Sequence, residues 1–303
     1  MSEPTSVMTR ERASVTVREP APVATPRRTG RAPGKPLFWV YVLLILGSAV
    51  MVFPFIWEVL TSLKTLSGAS SVPPQIIPDP FTTRAYTKVF DTLPFWNLLG
   101  NSILLTVIRT LGQVLLCTMA GYGFARFHFR GKNVLFIAFL AVLMVPGQLF
   151  LLPQYEIIRE MGLLGTIPGI ALPGLFSVFG TFLLRQFFQT LPMELEEAAR
   201  LDGANEWQIF WRVMLPLAKP GIIALTLLTA LWSWNDFLWP LVVSGNVNSM
   251  PLSVGLSLLT DLRLRDDALL MAGALLSSLP MIAVFLVLQR QFIQGIAFTG
   301  TKG

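Results

Sequence analysis

Six long apolar runs separated by short polar segments organise this chain, at about 37–60, 98–124, 133–152, 166–188, 217–242 and 268–289. Crossing a hydrocarbon core of ~30 Å takes about 20 apolar residues, so each run predicts one membrane-spanning helix. Residues 190–216, between the fourth and fifth runs, break the pattern by mixing charge and apolarity at helical spacing. Thr190 and Pro192 mark a helix start, and Glu194, Glu196 and Glu197 fill its first turns, where carboxylates oppose the helix dipole. Glu196 and Arg200 stand i,i+4 in the favourable order. Gly203 suits the C′ position of that helix, and Asn205 with Gln208 reads as a capping box opening a second. Trp207, Phe210, Trp211 and Met214 recur at i, i+3, i+4 and i+7, which predicts one apolar face, and Leu215 with Pro216 ends the helix. The stretch predicts two short helices joined at a turn, with one face toward the spans and one free for a soluble partner.

Composition narrows the class further. With 53% hydrophobic and 13% charged residues in 303, and a mean hydropathy of +0.63, the chain reads as an all-α polytopic membrane protein. Its net charge of +6 comes largely from the first 36 residues and from loops, so it signals topology and not nucleic acid. Placing the N-terminus inside puts 16 of the 23 Lys and Arg in inner segments and 6 in outer ones, with Arg109 inside a span. Both termini and the 190–216 stretch are therefore expected in the cytoplasm. Residues 1–36 are rich in Pro, Thr, Ser and Arg without an aromatic residue, which predicts a disordered tail ahead of a transmembrane domain at 37–303. The apolar run that follows the tail is too long for a cleaved signal. The outer segment 64–97 is stiffened by prolines, and Gln154 to Gly162 predicts a short interfacial helix with Tyr155, Ile158 and Met161 on its apolar side.

Candidate chemistry is sparse. No phosphate-cradling G-x-x-x-x-G-K-[ST], HExxH pair, Cys/His cluster or nucleophile elbow occurs, so neither catalysis nor ATP hydrolysis is expected of this chain. His128, the single histidine, lies in the basic segment RFHFRGK and reads as a surface residue, while Cys117 suits packing; no metal site is expected. Ionisable residues inside spans mark function by default. Arg109 lies near the middle of the second span, Asn235 and Asp236 in the outer half of the fifth, and Glu58 near the outer end of the first. Asn235, Asp236 and Arg109 either line or gate a solute path or tie helices by hydrogen bonds, helped by the carbonyl that Pro240 leaves free. The tryptophans around them suit an interfacial belt as well as a sugar-stacking surface.

The spacing of Glu197, Ala198, Ala199, Gly203, Val213, Leu215 and Pro216 resembles the EAA loop of permease subunits of bacterial ABC importers, with Val213 where isoleucine is usual. SWNDFLWPLVVSG in the fifth span and QRQFIQGIAFTGTKG at the C-terminus are similar to carbohydrate-uptake permeases, in particular to the shorter, six-helix partner of the maltose-type pair. The resemblance runs from Leu37 to Gly303 and implies the type I ABC importer fold in a bacterial cytoplasmic membrane. It implies a homologous second permease, two ATP-binding subunits that carry ATP and Mg, an extracytoplasmic solute-binding protein and a small carbohydrate as solute. Glu197, Ala198, Ala199, Gly203, Trp207, Leu215 and Pro216 would then seat in a cleft of the ATPase. Asn246, Asn248 and Ser249, in the outer loop GNVNSMPLSVG, match in position a loop that reaches into the binding protein, or form a plain surface loop. Glycerol phosphate or a polyamine is the alternative solute, and an ion-coupled secondary transporter is the rival of another class.

Overall fold

The computed structural model describes residues 38–260 and 266–300, without the side chains of 288 and 290–300. The tail, Arg263, Arg265 and Lys302 lie outside the described residues. All regular structure among the described residues is helical. Helix α1 is Phe38–Ser62, and its first part, to Met51, forms a unit of its own.

The rest is built around one helix. After a short helical turn at Leu66–Ala69 come α2 (Arg84–Thr92) and α3 (Phe95–Arg126), an unbroken helix of 32 residues. The buried positions of α3 include Leu98, Ser102, Leu105, Arg109, Gln113, Cys117 and Gly121, three or four residues apart. That spacing makes one continuous stripe along the helix. Three core clusters stack along it: one around Leu98, one around Leu105, and one around Cys117 and Tyr122. At Gly121 the neighbouring helix comes close. A Cβ there would lie 2.9 Å from Leu184 Cβ and 3.0 Å from the Arg185 nitrogen, so only glycine fits without movement.

After α3 come α4 (Lys132–Ala141), α5 (Leu151–Glu160), α6 (Ile167–Ala171), α7 (Val178–Thr190), α8 (Glu194–Leu201), α9 (Glu206–Gln208), α10 (Lys219–Asn235), α11 (Leu238–Val243), α12 (Leu252–Ser257) and α13 (Asp267–Gly300). Helices α1, α3 and α13 are long and apolar enough to cross a membrane unbroken. The other three expected spans are bent pairs, and counting each as one span brings the total to six.

Each bend has a sequence cause. The third expected span, 133–152, turns by 97° between Lys132–Met144 and Gly147–Glu160, where Pro146 lacks the N–H needed to continue the helix. The fourth bends by 43° between Ile167–Gly174 and Val178–Thr190. Ser177 caps the second half by accepting from the Gly180 nitrogen at 3.2 Å. The fifth meets the preceding helix at 74° near Pro216 and Pro220, and stops at Asn235 before resuming as α11. The interfacial helix expected at 154–162 overlaps α5, which ends at Glu160, with Ile158 buried, Tyr155 half-buried and Met161, just past its end, exposed. Arg126, counted from sequence with the basic loop, is instead the buried last residue of α3.

Candidate functional site

Polar side chains on the α3 stripe reach backbone carbonyls at the breaks and the end of the bent fourth span. Arg109 Nη2 donates to the Ile170 carbonyl at 2.7 Å and Gln113 Nε2 to that of Gly174 at 2.9 Å. Cys117 Sγ donates to Ser177 at 3.3 Å, and Arg126 Nη2 to Phe188 and Leu191 at 2.8 and 2.7 Å. Carbonyls near a helix break lose intrahelical partners that lipid cannot replace, and these donors add bonds there, although the Ser177 and Phe188 carbonyls also accept the Thr181 and Leu191 nitrogens. The two arginines also carry the two sites of interest, one at each end of this ladder.

At the Arg126 end, residues 194–217 form the expected helical hairpin. Gly203 has φ +83°, a conformation that a side chain disfavours, and it turns the chain between α8 and α9. Asn205 Oδ1 accepts from the Gln208 nitrogen and Gln208 Oε1 from the Asn205 nitrogen, both at 2.9 Å, completing the capping box. The second helix then widens into a π-helical turn over Ile209–Met214. Its i,i+5 bonding places Ile209 and Met214 on one face, so these two and Phe210 are buried while Trp207 stays 60% exposed and Trp211 38%. This corrects the four-residue stripe expected from a 3.6-residue period.

Glu197 and Ala198 lie on the exposed side of α8, with Ala199 and Leu215 half-buried and Pro216 exposed. No atom approaches within 4 Å of where a Gly203 Cβ would stand. The neighbouring Glu196 points the opposite way and is 2% exposed. Its Oε1 lies 3.1 Å from Arg126 Nε, and its Oε2 lies 3.7 Å from Arg200 Nη2. Arg200 makes its closer bond to Glu206, at 2.8 Å, so the expected i,i+4 pair is the weaker of the contacts Arg200 forms. Burial pushes the Glu196 carboxyl above its ordinary pKa, outweighing the opposing pull of Arg126 and Arg200. The bond from Arg200 holds the exposed Glu206 below its own. Sequence reasoning placed Glu196 only in its own helix and Arg126 only in the basic loop, and missed their pairing. A lone arginine at the end of an apolar run was the available signal.

At the other end, Arg109 Nη1 meets Asp236 Oδ2 at 2.7 Å, joining two residues that stand 127 positions apart. Asp236 occupies the break after α10. Its own carbonyl, which Pro240 cannot bond, accepts from Ser253 Oγ at 2.7 Å. Asn235 is exposed and donates to the Leu231 carbonyl at 2.8 Å. Trp239 Nε1 shares the Ile170 carbonyl with Arg109, at 3.1 Å. Beside the ion pair opens a cleft of about 290 Å³ lined by Arg109, Gln113, Gly174, Thr229, Trp232, Ser233 and Asp236. Thr229 Oγ1 donates to Gln113 Oε1 at 3.0 Å, which closes the network across three helices. Open polar groups at this depth cannot face hydrocarbon, so this side of the chain faces protein or water. Gln113, Thr229, Trp232 and Ser233 were also missed, since uncharged residues in an apolar run carry no sequence signal of their own.

The 244–251 loop closes on itself. Ser249 is buried, with its hydroxyl donating to the Ser244 carbonyl at 2.5 Å. Asn246 and Asn248 are exposed, and the Asn248 and Met250 carbonyls accept from Asn101 Nδ2 at 2.7 and 2.9 Å. His128 is exposed, and among the described residues no three His, Cys, Asp or Glu gather to hold a metal.

Residues 113–298 match the family described as binding-protein-dependent transport system inner membrane component. The arabinooligosaccharides transport system permease protein AraQ of Bacillus subtilis is 33% identical over 276 residues, covering 88% of this chain and 98% of that one. The sn-glycerol-3-phosphate transport system permease protein UgpE of Shigella flexneri is 31% identical, covering 84% and 94%. A solved bacterial ABC transporter involved in import of the acidic polysaccharide alginate contains a chain 26% identical to this one, with a TM-score of 0.75 over 84% of this chain and 96% of that one. With its bent spans and exposed hairpin accounted for, the chain belongs to the family of binding-protein-dependent transport system inner membrane components.

Proposed function

We propose that this chain carries a saccharide through the bacterial inner membrane as one permease subunit of an ABC importer, driven through its 194–217 hairpin. The observation that carries the reading is the two-sided build of α8. Glu197 is exposed on one side, while Glu196 on the other is held at 3.1 Å by Arg126 of the central span. A hairpin free outside and fixed inside can act as a lever. In this reading Glu197, Ala198, Ala199, Gly203, Trp207, Leu215 and Pro216 dock in a cleft of a cytoplasmic ATP-binding subunit. When two such subunits close on ATP and Mg, the hairpin follows and its displacement passes through Arg126 to α3. A homologous second permease completes the path, and a solute-binding protein outside the membrane delivers solute beside Asn246 and Asn248. Hydrolysis in the ATP-binding subunits returns the path inward, and this chain binds no cofactor of its own.

A saccharide is favoured as solute because the curated relatives include arabinooligosaccharide permeases and the solved neighbour serves an alginate importer. The glycerol-phosphate relatives keep that solute as the second reading. The test is uptake of labelled saccharide by proteoliposomes holding the whole importer, with Glu197→Lys and Gly203→Asp compared to wild type. Both variants are expected to insert normally and to lose uptake, with ATPase activity no longer stimulated by the loaded binding protein. Undiminished uptake by both would overturn the lever.

A further inference from the structure

The cleft beside Arg109 contains one cation and one anion, and they neutralise each other. Arg109 has a side chain only 7% exposed and is clamped in place. It donates to Asp236 and to the Ile170 carbonyl, and Gly174 lies so close that a Cβ there would come within 2.6 Å of Arg109 Nε. The guanidinium therefore cannot swing out to meet a passing anion while Asp236 holds it. Asp236 is more open, with a side chain 25% exposed, and among the described residues no side chain or backbone donor is recorded for its Oδ1. Ser233 Oγ is buried at the cleft without a partner, although its chemistry allows it both to donate and to accept. Trp232 is 51% exposed beside them and offers an indole face. An acceptor carboxylate, a free hydroxyl and a flat aromatic surface suit a sugar ring, whose rim is hydroxyl and whose face is C–H. At about 290 Å³, the cleft sits near the lower end of small-molecule sites, which run from about 300 Å³.

We propose that this cleft is a saccharide subsite and that Asp236 sets its charge class: by occupying Arg109 it makes the site select uncharged sugar units and turn away anionic ones. An approaching carboxylate or phosphate finds the buried cation already paired and an exposed carboxylate of its own sign. At this depth that repulsion is screened little by salt. The subsite rests on the saccharide-permease reading above, and it deepens that reading by favouring uncharged sugars over glycerol phosphate.

The test uses the intact complex in nanodiscs without binding protein, so that delivery does not impose its own selectivity. Binding of arabinotriose and of trigalacturonate is measured by calorimetry. Wild type is expected to prefer arabinotriose by at least about tenfold, and Asp236→Asn is expected to reverse the preference. Asp236→Glu, which keeps the charge, should retain the wild-type preference. Arg109→Gln with Asp236→Asn should also favour the neutral sugar, and this double variant keeps the question answerable if the single one fails to assemble. Ser233→Ala is expected to weaken arabinotriose several-fold without changing the charge preference. Equal binding of both sugars by wild type, or an unchanged preference in Asp236→Asn, would overturn the assignment. Uptake by the complete importer separates the two levels. If wild type imports arabinotriose yet its cleft ignores charge, only the subsite falls, whereas no import of any saccharide brings down the underlying reading as well.

Discussion

Two ion pairs leave the same helix and are built for different work. Arg126–Glu196 is closed, with side chains 5% and 2% exposed, and it joins the central span to a hairpin that is open on its other side. Arg109–Asp236 is closed at the arginine and open at the aspartate, with 7% and 25% exposed, and it borders a cleft. In both, the guanidinium also donates to backbone carbonyls of the fourth span or its end. The difference lies in the acid. A fully buried carboxylate can only transmit position, whereas a partly open one can also meet a solute.

That contrast can be broken by substitution. Arg126→Gln strands a buried carboxylate and should cost about 3–5 kcal/mol, read as a fall in the denaturation midpoint of the purified complex. Glu196→Gln should cost less, because Arg126 keeps the Phe188 and Leu191 carbonyls, and the double variant should fall short of the sum by about 0.5–3 kcal/mol. A sum that is strictly additive would show that the pair does not couple hairpin to span. Asp236→Asn should cost less than Arg126→Gln, about 1–3 kcal/mol, since asparagine still offers an oxygen to Arg109 and water reaches the site.

The pH dependence of the hairpin sharpens the same comparison. Glu196 is raised above its ordinary 4.5, so over the window between that value and the raised one the native state holds a proton that the unfolded chain has released. Its contribution to stability is therefore lost as pH rises through the raised value. Hydrogen exchange in residues 194–217 is expected to quicken across that window and to lose the trend in Glu196→Gln. The smallest effect is expected from Asn205→Ala, which removes one side of the capping box and should cost about 1 kcal/mol, measured by the same exchange.

Much of the hairpin was legible in the chain, because caps and turns are local. Gly203, Asn205 and Gln208 declare themselves within a few residues, and the structure has them as expected. The apolar face was half right. A π-helical turn has no marker in composition, and it exposed Trp207 and Trp211. The third and fourth spans were read as straight, although Pro146 was visible, whereas the bend near Pro216 falls where the hairpin was expected to end. Counting apolar residues measures whether a segment can lie in hydrocarbon and says nothing about its direction.

The sequence by itself determined class, approximate span number and the existence of the hairpin, since burial in lipid and helix capping are decided by neighbours along the chain. Which acid meets which arginine was decided only by the tertiary structure. Glu196 lies 70 residues beyond Arg126, and Asp236 lies 127 beyond Arg109. Both arginines are also held by carbonyls of the fourth span or its end, and that span packs closely on the central helix at Gly121. Adjacent glutamates, Glu196 and Glu197, differ in role because successive residues on a helix point about 100° apart, so one faces the core and the other faces out.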